Sequence, residues 1–144
     1  MTSYILDASV AAKWVLPPAH EPNAAQALAL LRQYVQGAVH LTVPSLFWTE
    51  IANLLWKSAR TGRISPKTAQ ESLAHLEDLQ IPEVASRGLA ASALSIALAF
   101  DRSTYDACYL ALALQSARPL ITADLRLVNA VAAHFPIRWL GALA

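Results

Sequence analysis

The chain has 144 residues, a length that suits one domain spanning residues 1–144. Hydrophobic residues make up 56% and charged ones only 15%, against about 25% in an ordinary soluble domain, which leaves apolar surface for a partner to cover. A formal net charge of +1 excludes a strongly basic nucleic-acid binder, and a single cysteine, Cys108, excludes an internal disulfide or a thiolate metal cage.

The chain begins with a short apolar strand, Tyr4-Ile5-Leu6, and a helix from Ala8 to Val15 that Pro17-Pro18 ends. A second helix is expected from Glu21 to Gln36, stopped by Gly37. Val39 to Val43 alternates as a strand, and Pro44 suits the first turn of a helix reaching Arg60. Ser65-Pro66 caps a helix from Lys67 to Leu79. Ile81 to Val84 reads as a brief strand, and Gly88 to Phe100 and Tyr105 to Ala117 read as helices. Leu120 to Thr122 is a strand, Leu125 to His134 a helix, and Ile137 to Leu140 a last strand. Strands alternating with helices imply an α/β fold, a parallel sheet between helical layers. No basic leader precedes the first apolar residues, and the run from Leu89 to Phe100 falls short of the roughly 20 residues of a membrane span. The expectation is a soluble cytoplasmic protein.

The chemistry concentrates in four of the ten acidic residues. Asp7 follows the first strand directly, and Asp124 follows the Leu120 to Thr122 strand. Asp106 lies in the first turn of a helix, and Glu50 lies inside one. Each has a structural reading: Asp7 and Asp124 as N-caps worth about 1 kcal/mol, Asp106 as a partner of a helix dipole. Glu50 shares a helical stripe with Asn53, Lys57 and Arg60, which is either a solvated face or the wall of a cleft. Topology discriminates, because ligands of open α/β sheets bind beyond the carboxyl ends of the strands, where these acids fall.

Clustered carboxylates repel: two about 4 Å apart cost roughly 4 kcal/mol at an effective dielectric near 20. The constellation therefore predicts a bound cation or raised proton affinities. Oxygen-only ligands favour Mg²⁺ or Mn²⁺ over Zn²⁺. His20, His40, His75 and His134 lie far from the acids in sequence and read as structural or exposed. Such a metal centre suits phosphodiester cleavage, since it activates water, orients an in-line attack and stabilises the leaving oxygen. Lys13, Lys57, Arg60 and Arg126 are candidate contacts for flanking phosphates.

Tyr4-Ile5-Leu6-Asp7-Ala8-Ser9, Thr49-Glu50-Ile51-Ala52-Asn53, Tyr105-Asp106-Ala107 and Leu120-Ile121-Thr122-Ala123-Asp124 stand in a specific order and spacing. In these the chain resembles the PIN-domain ribonucleases, and among them the VapC-type toxins of toxin–antitoxin pairs. The resemblance implies a three-layer α/β/α sandwich in which Asp7, Glu50, Asp106 and Asp124 hold Mg²⁺ or Mn²⁺. It implies that Ser9 and Thr122 shape the site beside them, and Asn53 belongs to the same motif as Glu50. It further implies an RNA substrate, a homodimer, and a cognate antitoxin whose tail lies in an apolar groove near the site. The rivals are a non-catalytic PIN-like module that binds RNA or protein, a DNA nuclease with the same chemistry, and a phosphoacceptor or nucleotide-binding domain. Four glycines in all, with neither a Walker loop nor a dinucleotide fingerprint, argue against the last.

Overall fold

A computed structural model describes residues 1–143. Five strands, β1 (Thr2–Leu6), β2 (Val39–Pro44), β3 (Glu83–Val84), β4 (Leu120–Thr122) and β5 (Ile137–Trp139), form one sheet in the order β3-β2-β1-β4-β5. Every pairing is parallel, with Thr2 opposite Val39, Ile5 opposite Leu120 and Thr122 opposite Trp139. Parallel strands need crossovers, and seven helices supply them: α1 (Ala8–Val15), α2 (Ala24–Val35), α3 (Leu46–Arg60), α4 (Pro66–Asp78), α5 (Ala90–Phe100), α6 (Thr104–Ser116) and α7 (Leu125–Val131). α1 packs with α2 and α3, α4 lies on α3, and α5 pairs with α6, which packs on β1, β2 and β4. The result is a three-layer α/β/α sandwich with a parallel central sheet.

The central strands carry the core. Ile5, Leu6, Leu120 and Ile121 are fully buried, as expected of strands covered on both faces. From α3 the core receives Phe47, Ile51 and Leu55, a spacing of four that keeps one face apolar. Cys108 is buried. Among the described residues no helix is long and apolar enough to cross a membrane.

Three boundaries differ from the sequence expectation. α2 begins at Ala24, not Glu21, because Asn23 takes a left-handed conformation (φ 60°) that breaks the helix before it. Pro44 ends β2 and does not open α3. The bonds to β3 come from Val43 N and Ser45 N on either side of it, so its missing N–H removes neither. α7 stops at Val131, and both His134 N and Phe135 N turn back to the Val131 carbonyl. Smaller shifts occur at Gly88, which lies in a 3-10 turn before α5, and at Leu140, which opens another after β5.

The sheet order reverses direction between β1 and β4, the topological switch point where such folds bind ligands. Removing the fully buried Ile51 side chain (Ile51→Ala) should cost about 2–5 kcal/mol. Chemical denaturation should register this as a lower midpoint with an unchanged slope.

Candidate active site

Asp7 leaves the carboxyl end of β1, and Asp124 leaves that of β4 two residues after Thr122 pairs with β5. Asp7 stands at the N-cap position of α1 yet makes no capping hydrogen bond. Its Oδ2 instead accepts hydrogen bonds from Ser9 Oγ and Thr122 Oγ1, each 2.7 Å. The same two hydroxyls accept from the next loop: Ala123 N donates to Ser9 Oγ and Asp124 N to Thr122 Oγ1, both at 3.1 Å. Two strands and their following turns are thus knitted around one carboxylate. Thr122 is fully buried, and these bonds satisfy its hydroxyl.

Asp124 is a cap as well as a member of the cluster. Its Oδ1 accepts from Arg126 N (3.0 Å) and Leu127 N (3.2 Å) at the start of α7. Glu50 reaches the cluster from α3, and Tyr109 on α6 donates a 2.7 Å hydrogen bond to its Oε1. Asp106 lies in the first turn of α6, whose N-cap Ser103 accepts its backbone N–H at 3.1 Å. In Asp7, Glu50 and Asp124, one oxygen is engaged by hydrogen bonds and the other is left without one among the described residues.

The acids act on one another in pairs. Burial pushes the Asp7 carboxyl above the usual range; hydrogen bonds from Thr122 and Ser9 pull it down, and Asp124 pushes it up. Burial also raises Glu50, with Tyr109 opposing and the charges of Asp7 and Asp106 adding to the rise. Asp106 is raised by burial and by Asp7 and Asp124, against the pull of Arg102. The nearest counter-charge, Arg102 Nη2, stands 3.9 Å from Asp106 Oδ2, and its buried Nε finds no hydrogen-bond partner among the described residues. Burial and the neighbouring acids push the Tyr109 phenol far up, so it stays a donor.

The donor set fits a hard divalent cation: oxygen atoms only, partly dry, with excess negative charge. Among the described residues no three acidic side chains converge closely enough to hold an ion. All four histidines are exposed, as anticipated. Asn53 makes no hydrogen bond to Glu50; it lines a 360 Å³ hollow together with Thr49, Glu50 and Tyr105. Among the basic candidates, Lys13 is buried and paired with Glu21 at 3.3 Å. Lys57 lines a hollow beside Asp124. Arg60 lies over the Trp56 ring at 4.9 Å, and Arg126 is exposed on α7. Sequence reasoning missed Tyr109 and Arg102. Arg102 stands four residues before Asp106, just ahead of α6, whereas Tyr109 acts on Glu50, on a different helix.

Raised carboxyls mean that the native state binds more protons than the unfolded chain above their ordinary values, 3.8 for Asp and 4.5 for Glu. The cluster therefore costs no stability below those values, and its cost grows as pH climbs through the raised native ones. In EDTA, Asp7→Asn should melt higher than wild type at pH 7.5, by about 2–4 °C per 1 kcal/mol relieved. The gap should shrink toward pH 4, and Mn²⁺ should close or reverse it. Equal melting at both pH values would contradict the reading. Tyr109→Phe, which keeps the ring and removes the donor, should weaken Mn²⁺ binding about 10–100-fold by calorimetry while leaving a folded protein.

The family model for the PIN domain matches residues 4–132. No curated protein matches the sequence. Among solved structures, the chain is similar to PAE2754 from Pyrobaculum aerophilum, with a TM-score of 0.72 and 21% identity, covering 97% of this chain and 90% of that one. It is similar to VapBC2 from Rickettsia felis, solved bound to a DNA fragment from its promoter, with a TM-score of 0.65 and 11% identity over 96% and 98% of the chains. A third is FitAcB from Neisseria gonorrhoeae, with a TM-score of 0.63 and 18% identity over 97% and 99%. At these identities the structures speak for the fold, and the match over most of the sequence speaks for the family: the chain belongs to the PIN domain family.

Proposed function

We propose that this protein is a metal-dependent endoribonuclease, the VapC-type toxin of a toxin–antitoxin pair, with Asp7, Glu50, Asp106 and Asp124 as its metal-holding acids. The observation that carries the reading is Asp7. It stands at the N-cap position of α1 with no side-chain capping hydrogen bond, and two hydroxyls hold one of its oxygens while the other accepts none from a side chain among the described residues. A mere N-cap has no use for that arrangement. PIN domains are a nuclease family, which favours catalysis over a binding-only module.

A Mg²⁺ or Mn²⁺ ion bound there supplies acidity to an attacking water and charge to the phosphoryl oxygens. The chain's own groups do the positioning. Ser9 and Thr122 fix Asp7, Tyr109 fixes Glu50, and the α7 amides fix Asp124. Arg102 moderates the negative charge beside Asp106 until a cation or substrate takes over.

Partners follow from the surface. Trp56, Leu94, Leu98, Tyr105 and Leu114 are exposed on α3, α5 and α6, more large apolar side chains than a lone soluble domain needs. They support both a homodimer and an antitoxin that covers an apolar groove. The solved toxin–antitoxin complexes with this fold, among them one from Klebsiella pneumoniae, support the same reading. The absence of a membrane-crossing helix among the described residues is compatible with action in the cytoplasm.

Purified protein should cut RNA with Mg²⁺ or Mn²⁺ and not in EDTA, and Asp7→Asn should lose at least about a hundredfold in rate, the scale of losing one organising group of such a site. Equal cutting by both would make Asp7 dispensable. Cutting of a deoxy substrate as fast as the ribo version would move the reading to a DNA nuclease.

A further inference from the structure

A hollow of 440 Å³ opens between α1, α3 and the turn after β4. Ser9 and Asp124 form one end of it, so it starts at the acidic cluster. From Ser9 it follows α1 past Ala12 and Lys13 to Leu16, about 10 Å along the helix at 1.5 Å per residue. Ala12, Leu16 and Leu54 give it an apolar lining, while Lys13, Lys57 and Arg63 give it positive charge.

The charges are built in. Glu21 stands between two cations: its Oε1 is 3.3 Å from Lys13 Nζ and its Oε2 2.8 Å from Arg63 Nη2. Lys13 and Glu21 have side-chain exposures of only 9% and 12%, and a buried ammonium persists only when paired. One cation would satisfy Glu21. Two leave the triad with a charge of +1, and Lys57 adds another, with no ion pair among the described residues. The hollow therefore runs from an anionic end that suits metal to a cationic end that suits phosphate, over an apolar surface the size of a flat ring.

We propose that this hollow is a one-nucleotide subsite. It seats the nucleotide next to the scissile bond, with its base on Ala12, Leu16 and Leu54 and its outer phosphate between Lys57 and Arg63. A pocket of about 300–1,000 Å³ takes a ligand of that size. The assignment rests on the nuclease reading above and adds to it which surface holds the strand. Glu21 is the residue that sets Lys13 and Arg63 in place.

The test is a titration of isotope-labelled protein with adenosine monophosphate in EDTA, followed by amide chemical shifts. Parallel titrations use inorganic phosphate and hexaglutamate. Shifts should gather on Ala12, Lys13, Leu54, Lys57 and Arg63, with the nucleotide binding tighter than phosphate. Lys57→Glu should weaken nucleotide binding at least about fivefold, because a phosphate contact becomes a repulsion. Lys67→Glu, the same charge change at an exposed site on α4 paired with Glu71, should leave it unchanged. Shifts centred elsewhere, equal affinity for phosphate and nucleotide, or an indifferent Lys57→Glu would overturn the subsite. Tighter binding of hexaglutamate would also overturn it, giving the hollow to an acidic protein partner. Because EDTA removes the metal chemistry, these failures leave the nuclease reading standing. A wild type that binds nucleotide here but never cuts RNA would do the reverse.

Discussion

The hydrogen bonds that Ser9 and Thr122 donate to one oxygen of Asp7 are the interaction on which this molecule turns. They exist because β1 and β4 lie side by side at the reversal of the sheet order, which brings residues 115 positions apart within 2.7 Å. Three further consequences depend on them. The Asp7 carboxylate is withdrawn from capping α1. The turn after β4 is drawn in through Ala123 N and Asp124 N. Asp124 is thereby set opposite Asp7, close enough for its charge to raise the Asp7 carboxyl.

A fold that gathers like charges in a half-dry place is working against its own stability. The chain offsets part of this with neutral donors in place of counter-ions: Tyr109 for Glu50, two α7 amides for Asp124, two hydroxyls for Asp7. A donor lowers the repulsion modestly and leaves the net charge intact, whereas a salt bridge would cancel it. Among the described residues only Asp106 of the four is ion-paired, and at 3.9 Å Arg102 is a weak partner. The arrangement leaves the site with a net negative charge that a divalent ion would offset. Two other cations, Lys13 and Arg63, pair with Glu21, and together with Lys57 they line the same hollow as Asp124.

The sheet and the positions of Asp7 and Asp124 were legible because they rest on local facts: apolar runs followed at once by an acid. The strength of the Asp7 arrangement was not, since a carboxylate after a strand looks the same whether it caps a helix or not. Glu50 was ambiguous for a related reason. Its stripe splits in the fold, with Glu50 and Asn53 lining one hollow, Lys57 another, and Arg60 leaving both for the Trp56 ring. Tyr109 escaped notice because a phenol reaching from α6 to α3 is a fact of packing, not of spacing. Lys13 drew attention as a cation, but its partner Glu21 was expected inside a helix that the left-handed Asn23 cuts short. Pro44 misled because its fixed φ is as acceptable at the end of a strand as at the start of a helix.

Four acids from four different elements are proposed to form one cation site. Anomalous scattering from crystals of the wild-type protein grown with Mn²⁺ tests it most directly. An ordered ion is expected within about 2.0–2.3 Å of the free oxygen of Asp7. At least one of Glu50, Asp106 and Asp124 is expected in the same coordination shell, with Ser9 and Thr122 still bonded to the other oxygen of Asp7. An ion ordered elsewhere, or none at saturating Mn²⁺, would contradict the shared site.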